Sequence, residues 1–337
     1  MVNKLARTQA TYQCLRRESE VIVGFIGLGT MGGAAALNIL NGGYDLAIHD
    51  LRKSAAIRLL ELGARWVDSP AECAAIADVI VTMVFGPAEI EQVVRGPNGL
   101  LAGARKGQIW VDMTTNRPSL LRDLASDLAR QGVETVDAPV TGAVDGAING
   151  SLTLFAGGSM NSVARVRPIL QTMGAVIHVG ELGAGSIVKL VTNQLWFIHA
   201  AAVGESLAIA RKAGVDLKTL WEAMKSGAAD SFVCRHDVPS IFAGHYDPSF
   251  SLDLCCKDLS LISELSETYG VTADITRLTA DKFERARQTY GGSAGELHVC
   301  KLIEDSAGIN LRVAGDWPKH WEAAPSAKST HSNATLE

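Results

Sequence analysis

The stretch Val21-Ile22-Val23-Gly24-Phe25-Ile26-Gly27-Leu28-Gly29-Thr30-Met31-Gly32 decides how this chain is read. An apolar, β-branched run leads into Gly-x-Gly-x-x-Gly, and residues 33–40 behind it have helical spacing. A glycine pattern alone carries little weight, but between a strand and a helix it has a physical meaning. Gly27 permits a tight turn, Gly29 lets the backbone approach a pyrophosphate, and Gly32 lets the helix pack close to the strand. Leu28, Thr30 and Met31 complete the loop. The unpaired N–H groups and positive dipole end of the helix start complement phosphate charge. A dinucleotide is therefore expected at this loop.

Asp50 closes the next apolar run, eighteen residues after Gly32. A carboxylate there accepts hydrogen bonds from the ribose hydroxyls of NAD and repels the additional phosphate of NADP. Leu51 follows, and then Arg52 and Lys53, cations of the kind NADP sites use. The acid sets the expectation of NAD rather than NADP.

Working outward, apolar runs at 46–49, 79–84, 109–112, 133–137 and 152–156 join the one at 21–26. They are nearly continuous rather than alternating, as strands covered on both faces of a parallel sheet are. The gaps leave room for crossover helices, so 21–185 reads as a doubly wound α/β domain. Beyond Gly185 the strand signals stop. Residues 187–213 have unbroken helical spacing and end at Gly214, a plausible C-cap. Helical segments follow at 218–226, 258–269, 275–288 and 297–305, so 186–321 reads as an all-α domain reached through one long helix. Residues 1–20 and 322–337 read as poorly ordered extensions. The first holds Lys4, Arg7, Arg16 and Arg17 with no acid before Glu18, a mildly presequence-like composition.

Composition sets outer limits. The chain has 337 residues, 47% of them hydrophobic, enough for about two domains. Its net charge of −5 argues against a binder that works by broad phosphate neutralisation, so no nucleic-acid partner is expected. No apolar run reaches membrane-span length, and no membrane partner is expected. Six cysteines show no CxxC, and eight histidines show no ligand spacing, so no metal site is expected. The thiols suit a reducing compartment: the cytoplasm, with the mitochondrial matrix as the alternative that the basic start leaves open.

Four blocks in order resemble the β-hydroxyacid dehydrogenases, the family of 3-hydroxyisobutyrate dehydrogenase and tartronate semialdehyde reductase. Gly24 to Gly32 is similar to the family's opening. Asp137-Ala138-Pro139-Val140-Thr141-Gly142-Ala143, with Gly146, Ala147 and Gly150, resembles its substrate block. Gly183-Ala184-Gly185-Ser186-Ile187-Val188-Lys189-Leu190-Val191-Thr192-Asn193 resembles its catalytic block, and Lys257-Asp258-Leu259 its late cofactor block. The resemblance implies a Rossmann-type N-terminal domain, a long interdomain helix and an all-α C-terminal domain. It implies hydride transfer between NAD(P) and a small 3-hydroxy acid, or the reverse reduction of a semialdehyde or keto acid, in a homodimer or homotetramer.

Carried over by residue, the resemblance makes Lys189 the catalytic base and acid, with Asn193 positioning it and the substrate. Thr141, Gly142 and Ala143 would hold the substrate carboxylate, although the family more often has Ser-Gly-Gly there. Thr115 would lie by the nicotinamide ribose. Val84 and Phe85 would touch the cofactor through their backbone, where many members have Leu-Pro. Lys257 would reach the cofactor, and Ser231 and Phe232 would line the substrate pocket. The residues support the first assignment independently. Lys189 and Asn193, four apart, share one helix face. A lysine shielded from water and beside the positive dipole end of a helix has its ammonium form disfavoured by both, which is expected to lower its pKa towards neutrality and suits proton transfer.

Three other readings stay open. An NADPH-dependent reductase of small aldehydes or imines shares the architecture, but imine reductases usually replace the lysine. 6-Phosphogluconate dehydrogenase has a His just before the Asn, where this chain has Thr192. A non-catalytic nucleotide-sensing module would typically have lost Lys189.

Overall fold

The runs expected as strands lie side by side in one sheet. In the computed structural model, which describes residues 21–246 and 250–317, the strands are β1 (Ile22–Ile26), β2 (Asp45–His49), β3 (Arg65–Trp66), β4 (Val79–Thr82), β5 (Ile109–Asp112), β6 (Glu134–Asp137), β7 (Val140–Thr141), β8 (Leu152–Gly157) and β9 (Gly174–Gly180). Their order is β3-β2-β1-β4-β5-β6-β8-β7, with β9 paired to β8. β1 pairs in parallel with both β2 and β4, so the strand order reverses at β1. Ligands of doubly wound sheets bind beyond the carboxyl ends at such a switch point. Helices cover the sheet, which is why β4 and β5 are buried at every residue. The helix Pro118–Ala129 shows the cause: Leu121, Leu124 and Leu128 repeat at helical spacing and bury in one cluster with Trp110 and Leu100.

The sheet departs from the sequence reading at its far side. The run 152–156 was expected among parallel strands, but β8 runs antiparallel to β6 and β7. Apolar periodicity reports burial, not strand direction. β9 was not anticipated because its side chains alternate between exposed and half-buried along much of its length. The two-residue strands β3 and β7 are too short to leave a pattern.

The contacts divide the chain into two units. One runs from the first described residue to Gly142 and from Gly150 to Leu190; the other takes Ala143–Asn149 and continues from Val191. The long helix is Ala184–Lys212, starting three residues before the expected position. It ends at Gly214, with φ +79° and a Val215 N–H to Ala210 carbonyl bond of 3.0 Å. In the second unit Phe197 packs edge-on against Phe283 at 5.1 Å. Helices Leu217–Lys225, Asp274–Tyr290 and His298–Ala307 lie within two residues of their expected bounds. The helix Leu252–Thr268 begins six residues before the expected start, because its cap is Ser251, whose Oγ accepts from the Leu254 N–H at 3.4 Å. A π-helical turn at Val233–Asp237 and the helix Val238–Ala243 were not expected. No helix among the described residues is long and apolar enough to cross a membrane. The two extensions, 1–20 and 322–337, lie outside the described residues.

Candidate active site

The glycine loop has the backbone a dinucleotide needs. Gly27 has φ +97°, and a side chain there would strike the Met83 carbonyl. A side chain at Gly32 would strike the carbonyl of Gly27, so the helix Thr30–Asn41 approaches β1 this closely only because residue 32 lacks one. At Gly29 nothing lies within 4 Å of where a side chain would start, so its backbone faces open space. The first-turn N–H groups of Thr30, Met31 and Gly32 have no partner within their helix. Leu28 is buried, and its N–H donates to Asp50 Oδ2 at 2.7 Å rather than facing outward. Asp50 Oδ1 accepts from the Arg52 N–H at 2.8 Å, so the carboxylate is fixed from both sides. Lys53 is drawn over the ring of Trp66, 5.3 Å from its centroid. These residues fit a dinucleotide.

The carboxyl ends of three neighbouring strands carry Thr82, Asp112 and Asp137 in register, all buried. The Trp110 indole donates to Thr82 Oγ1 at 2.9 Å, and that hydroxyl donates to Asp112 Oδ1 at 3.0 Å. The Thr114 N–H donates to the same oxygen, and Thr114 Oγ1 accepts from the Val84 N–H at 3.2 Å. Burial pushes the Asp112 carboxyl up to about 6, against hydrogen bonds from Thr114, Thr82 and Asn116 that pull it back. Through this chain the fold sets the loops bearing Val84 and Thr115. Phe85 is about half exposed, and Thr115 half-buried.

Asp137 governs the start of the long helix. Its Oδ1 accepts from the Gly183 N–H at 2.8 Å, and its Oδ2 from the Ser186 N–H at 2.7 Å and the Ser186 hydroxyl at 3.1 Å. Burial raises its carboxyl above the usual range, and the bonds from Gly183 and Ser186 oppose that. The carboxylate caps the helix from a neighbouring strand. Lys189, half-buried, lies one turn past Ser186. The sequence placed Lys189 close to an exposed positive helix end. With the helix starting at Ala184, Lys189 is in the second turn and the first turn already faces an acid. The dipole falls off within one turn, so it is not what acts on Lys189.

Asn193 follows one turn further along the same helix. Its Nδ2 donates to Asp258 Oδ2 at 2.7 Å. Only the NH₂ side can donate to a carboxylate, so this bond fixes which way the amide faces. Lys257 Nζ lies 2.9 Å from the other oxygen of Asp258, an ion pair without hydrogen-bond geometry. Asp258 is buried, and it shares the second turn of its helix with Lys257. Thr141, Gly142 and Ala143 are half-buried at the end of β7. The Ser231 hydroxyl accepts from the Cys234 N–H at 3.1 Å, and Phe232 is half exposed.

Comparison with known proteins bears on this geometry. Residues 22–181 match the NAD-binding domain of 6-phosphogluconate dehydrogenase, and residues 183–303 the NAD-binding region of NADP-dependent 3-hydroxyisobutyrate dehydrogenase. The 2-(hydroxymethyl)glutarate dehydrogenase of Eubacterium barkeri is 31% identical over 87% of this chain and 98% of its own. The chain belongs to the β-hydroxyacid dehydrogenase family.

Two further members agree. The 3-hydroxyisobutyrate dehydrogenase of Pseudomonas aeruginosa is 34% identical over 77% of this chain and 90% of its own. The structure of Mycobacterium tuberculosis 3-hydroxyisobutyrate dehydrogenase with L-serine superposes with a TM-score of 0.77 at 26% identity, covering 84% of this chain and 99% of that one. This β-hydroxyacid dehydrogenase is thus an NAD(P)-dependent enzyme acting on the CH–OH group of a hydroxy acid. Sequence reasoning gave no role to Asp112, Asp137 or Asp258. Asp137 and Asp258 stand inside the quoted blocks, but an isolated acid in a sequence does not show which N–H groups it will meet.

Proposed function

We propose that the enzyme oxidises a small 3-hydroxy acid of the 3-hydroxyisobutyrate type with NAD, or reduces the matching semialdehyde or keto acid. The observation that carries this is Lys189 followed one turn later by Asn193, on a helix whose start Asp137 holds at three points. Lys189 takes the hydroxyl proton as the C–H bond breaks and the carbonyl forms, and returns it in reduction. Asn193, its NH₂ turned to Asp258, presents its carbonyl oxygen on the opposite side of the amide, an acceptor suited to positioning the lysine and the substrate hydroxyl. The Thr141 hydroxyl and the backbone N–H groups of the turn after it take the carboxylate, a small anion nest. Bound NAD supplies the hydride acceptor, held by the loop Gly27 to Gly32 with Asp50, and by Val84, Phe85, Thr115 and Lys257. Ser231 and Phe232 line the pocket for the substituent.

NAD is favoured because Asp50 is fixed and Lys53 is engaged with Trp66, leaving Arg52 as the neighbouring cation. NADH formation with a panel tests both points: 3-hydroxyisobutyrate, serine, 2-(hydroxymethyl)glutarate and a sulfonated analogue, each with NAD and with NADP. Turnover highest on 3-hydroxyisobutyrate with NAD is expected. A clear NADP preference overturns the cofactor reading. NAD binding without turnover on any member points to a non-catalytic module.

The assembly proposed is a homodimer or homotetramer. Ile275 and Leu278, one helical turn apart, are both more than 60% exposed, and Tyr269 and Val271 just before them are equally open. Such apolar exposure in sequence neighbours suits a protein interface. Light scattering is expected to give a mass of at least two chains, and a monomer at working concentration contradicts the assembly.

A further inference from the structure

Ala143 has φ +58°, the left-handed region, and among the described residues it is the non-glycine residue found there. That conformation costs a residue with a side chain about 1–2 kcal/mol. It directly follows Thr141-Gly142 and opens the short helix Ala143–Asn149. Something beyond local preference must hold it.

Two residues on, Asp145 Oδ2 lies 3.3 Å from His236 Nε2. His236 Nδ1 lies 2.7 Å from Asp237 Oδ1, and Asp237 Oδ2 accepts from the Trp196 indole at 3.0 Å. Trp196 stands on the long helix three residues past Asn193. Phe232 stacks on the imidazole at 4.5 Å with 21° between the planes. The neighbouring cation, Arg235, turns instead to Asp230 at 2.8 Å. An imidazole with a carboxylate on each nitrogen donates from both. Burial lowers its proton affinity, but the hydrogen bonds and charges of Asp145 and Asp237 outweigh that and hold it at about 9. The π-helical turn Val233–Asp237 carries this histidine, and such turns recur at functional sites.

We propose that His236 is a positioning residue for substrate affinity. Through Asp145 it holds the helix Ala143–Asn149, and with it the left-handed Ala143, so that the turn at Thr141 presents its donors to the substrate carboxylate. The inference rests on the reading of that turn given above.

The test uses His236→Gln and Asp145→Asn, singly and together, with Thr141→Ala for comparison. The probes are the best acid of the panel and isobutyrate, a carboxylate without the reacting hydroxyl. In each single variant the KM of the acid and the Ki of isobutyrate are expected to rise about tenfold, while kcat stays within about twofold. The NAD dissociation constant stays unchanged. The double variant is expected to be no worse than either single one, because both remove one contact. Adding Ala143→Gly to His236→Gln is expected to recover most of the lost affinity, since glycine adopts this backbone freely. It also gives a foldable background if His236→Gln alone does not fold. Unchanged Ki in Thr141→Ala refutes the carboxylate turn itself. Raised Ki in Thr141→Ala with unchanged KM and Ki in His236→Gln refutes the tether alone. A parallel fall in kcat and NAD affinity, not rescued by Ala143→Gly, reduces His236 to a fold-stabilising residue and overturns the proposal.

Discussion

Lys189→Ala is expected to lower kcat by about 10³- to 10⁴-fold, the upper range for removing a positioned acid–base group. The alcohol proton has a pKa far above neutrality, so it must leave as the C–H bond breaks, and the group receiving it must already be in place. Lys189 is suited to this by its place one turn past the anchored Ser186 and one turn before Asn193, which is itself fixed by Asp258. Lys189→Arg keeps the positive charge but cannot give up its proton near neutral pH, so it is expected to be nearly as inactive. The dissociation constant of NAD is expected to be the same in both variants, because the glycine loop and Asp50 stand on other elements. Steady-state turnover and fluorescence titration with the cofactor check the two halves. Turnover near the unsubstituted rate in Lys189→Ala would mean that another residue moves the proton.

Asp137→Ala is the second large effect, and it is first an effect on stability. The substitution strands two buried N–H donors and one buried hydroxyl at the head of the long helix. Each unsatisfied donor costs about 1–3 kcal/mol, so a loss of about 3–5 kcal/mol is expected. Gly157 and Gly185 pack so closely on the carboxylate that a side chain at either would strike an oxygen of Asp137. On a unit of this size the loss corresponds to a Tm lower by roughly 10 °C. Activity below the melting range is expected to fall as well, since Lys189 depends on the turn that Asp137 anchors. Calorimetry and urea unfolding measure the first effect. A midpoint unchanged in both would show that the helix start is held by other contacts.

Much of the fold is legible in the amino-acid sequence, for reasons particular residues make plain. Strands covered on both faces need apolar side chains at every position, and Ile109-Trp110-Val111 has them. The glycine loop is legible because steric exclusion leaves few substitutes at Gly27 and Gly32. What stayed hidden depends on partners distant in sequence. Asp137 meets Gly183 and Ser186, Asp258 meets Asn193, and His236 meets Asp145, all across gaps that no local pattern bridges. Ser251 was overlooked as a cap for the opposite reason: a lone serine has the chemistry of a cap, but it declares itself one only when the next turn is seen to be helical.

The segment Ala143–Asn149 belongs to the first half by position along the chain and to the second unit by its contacts. The polypeptide therefore passes from one unit to the other three times, and neither unit is an uninterrupted piece. A gene cut within the long helix would give each product an incomplete fold, with the first keeping a segment that belongs to the second. A chimaera that exchanged everything after the long helix would part Asp145 from His236, so that exchange does not follow a boundary between self-contained modules.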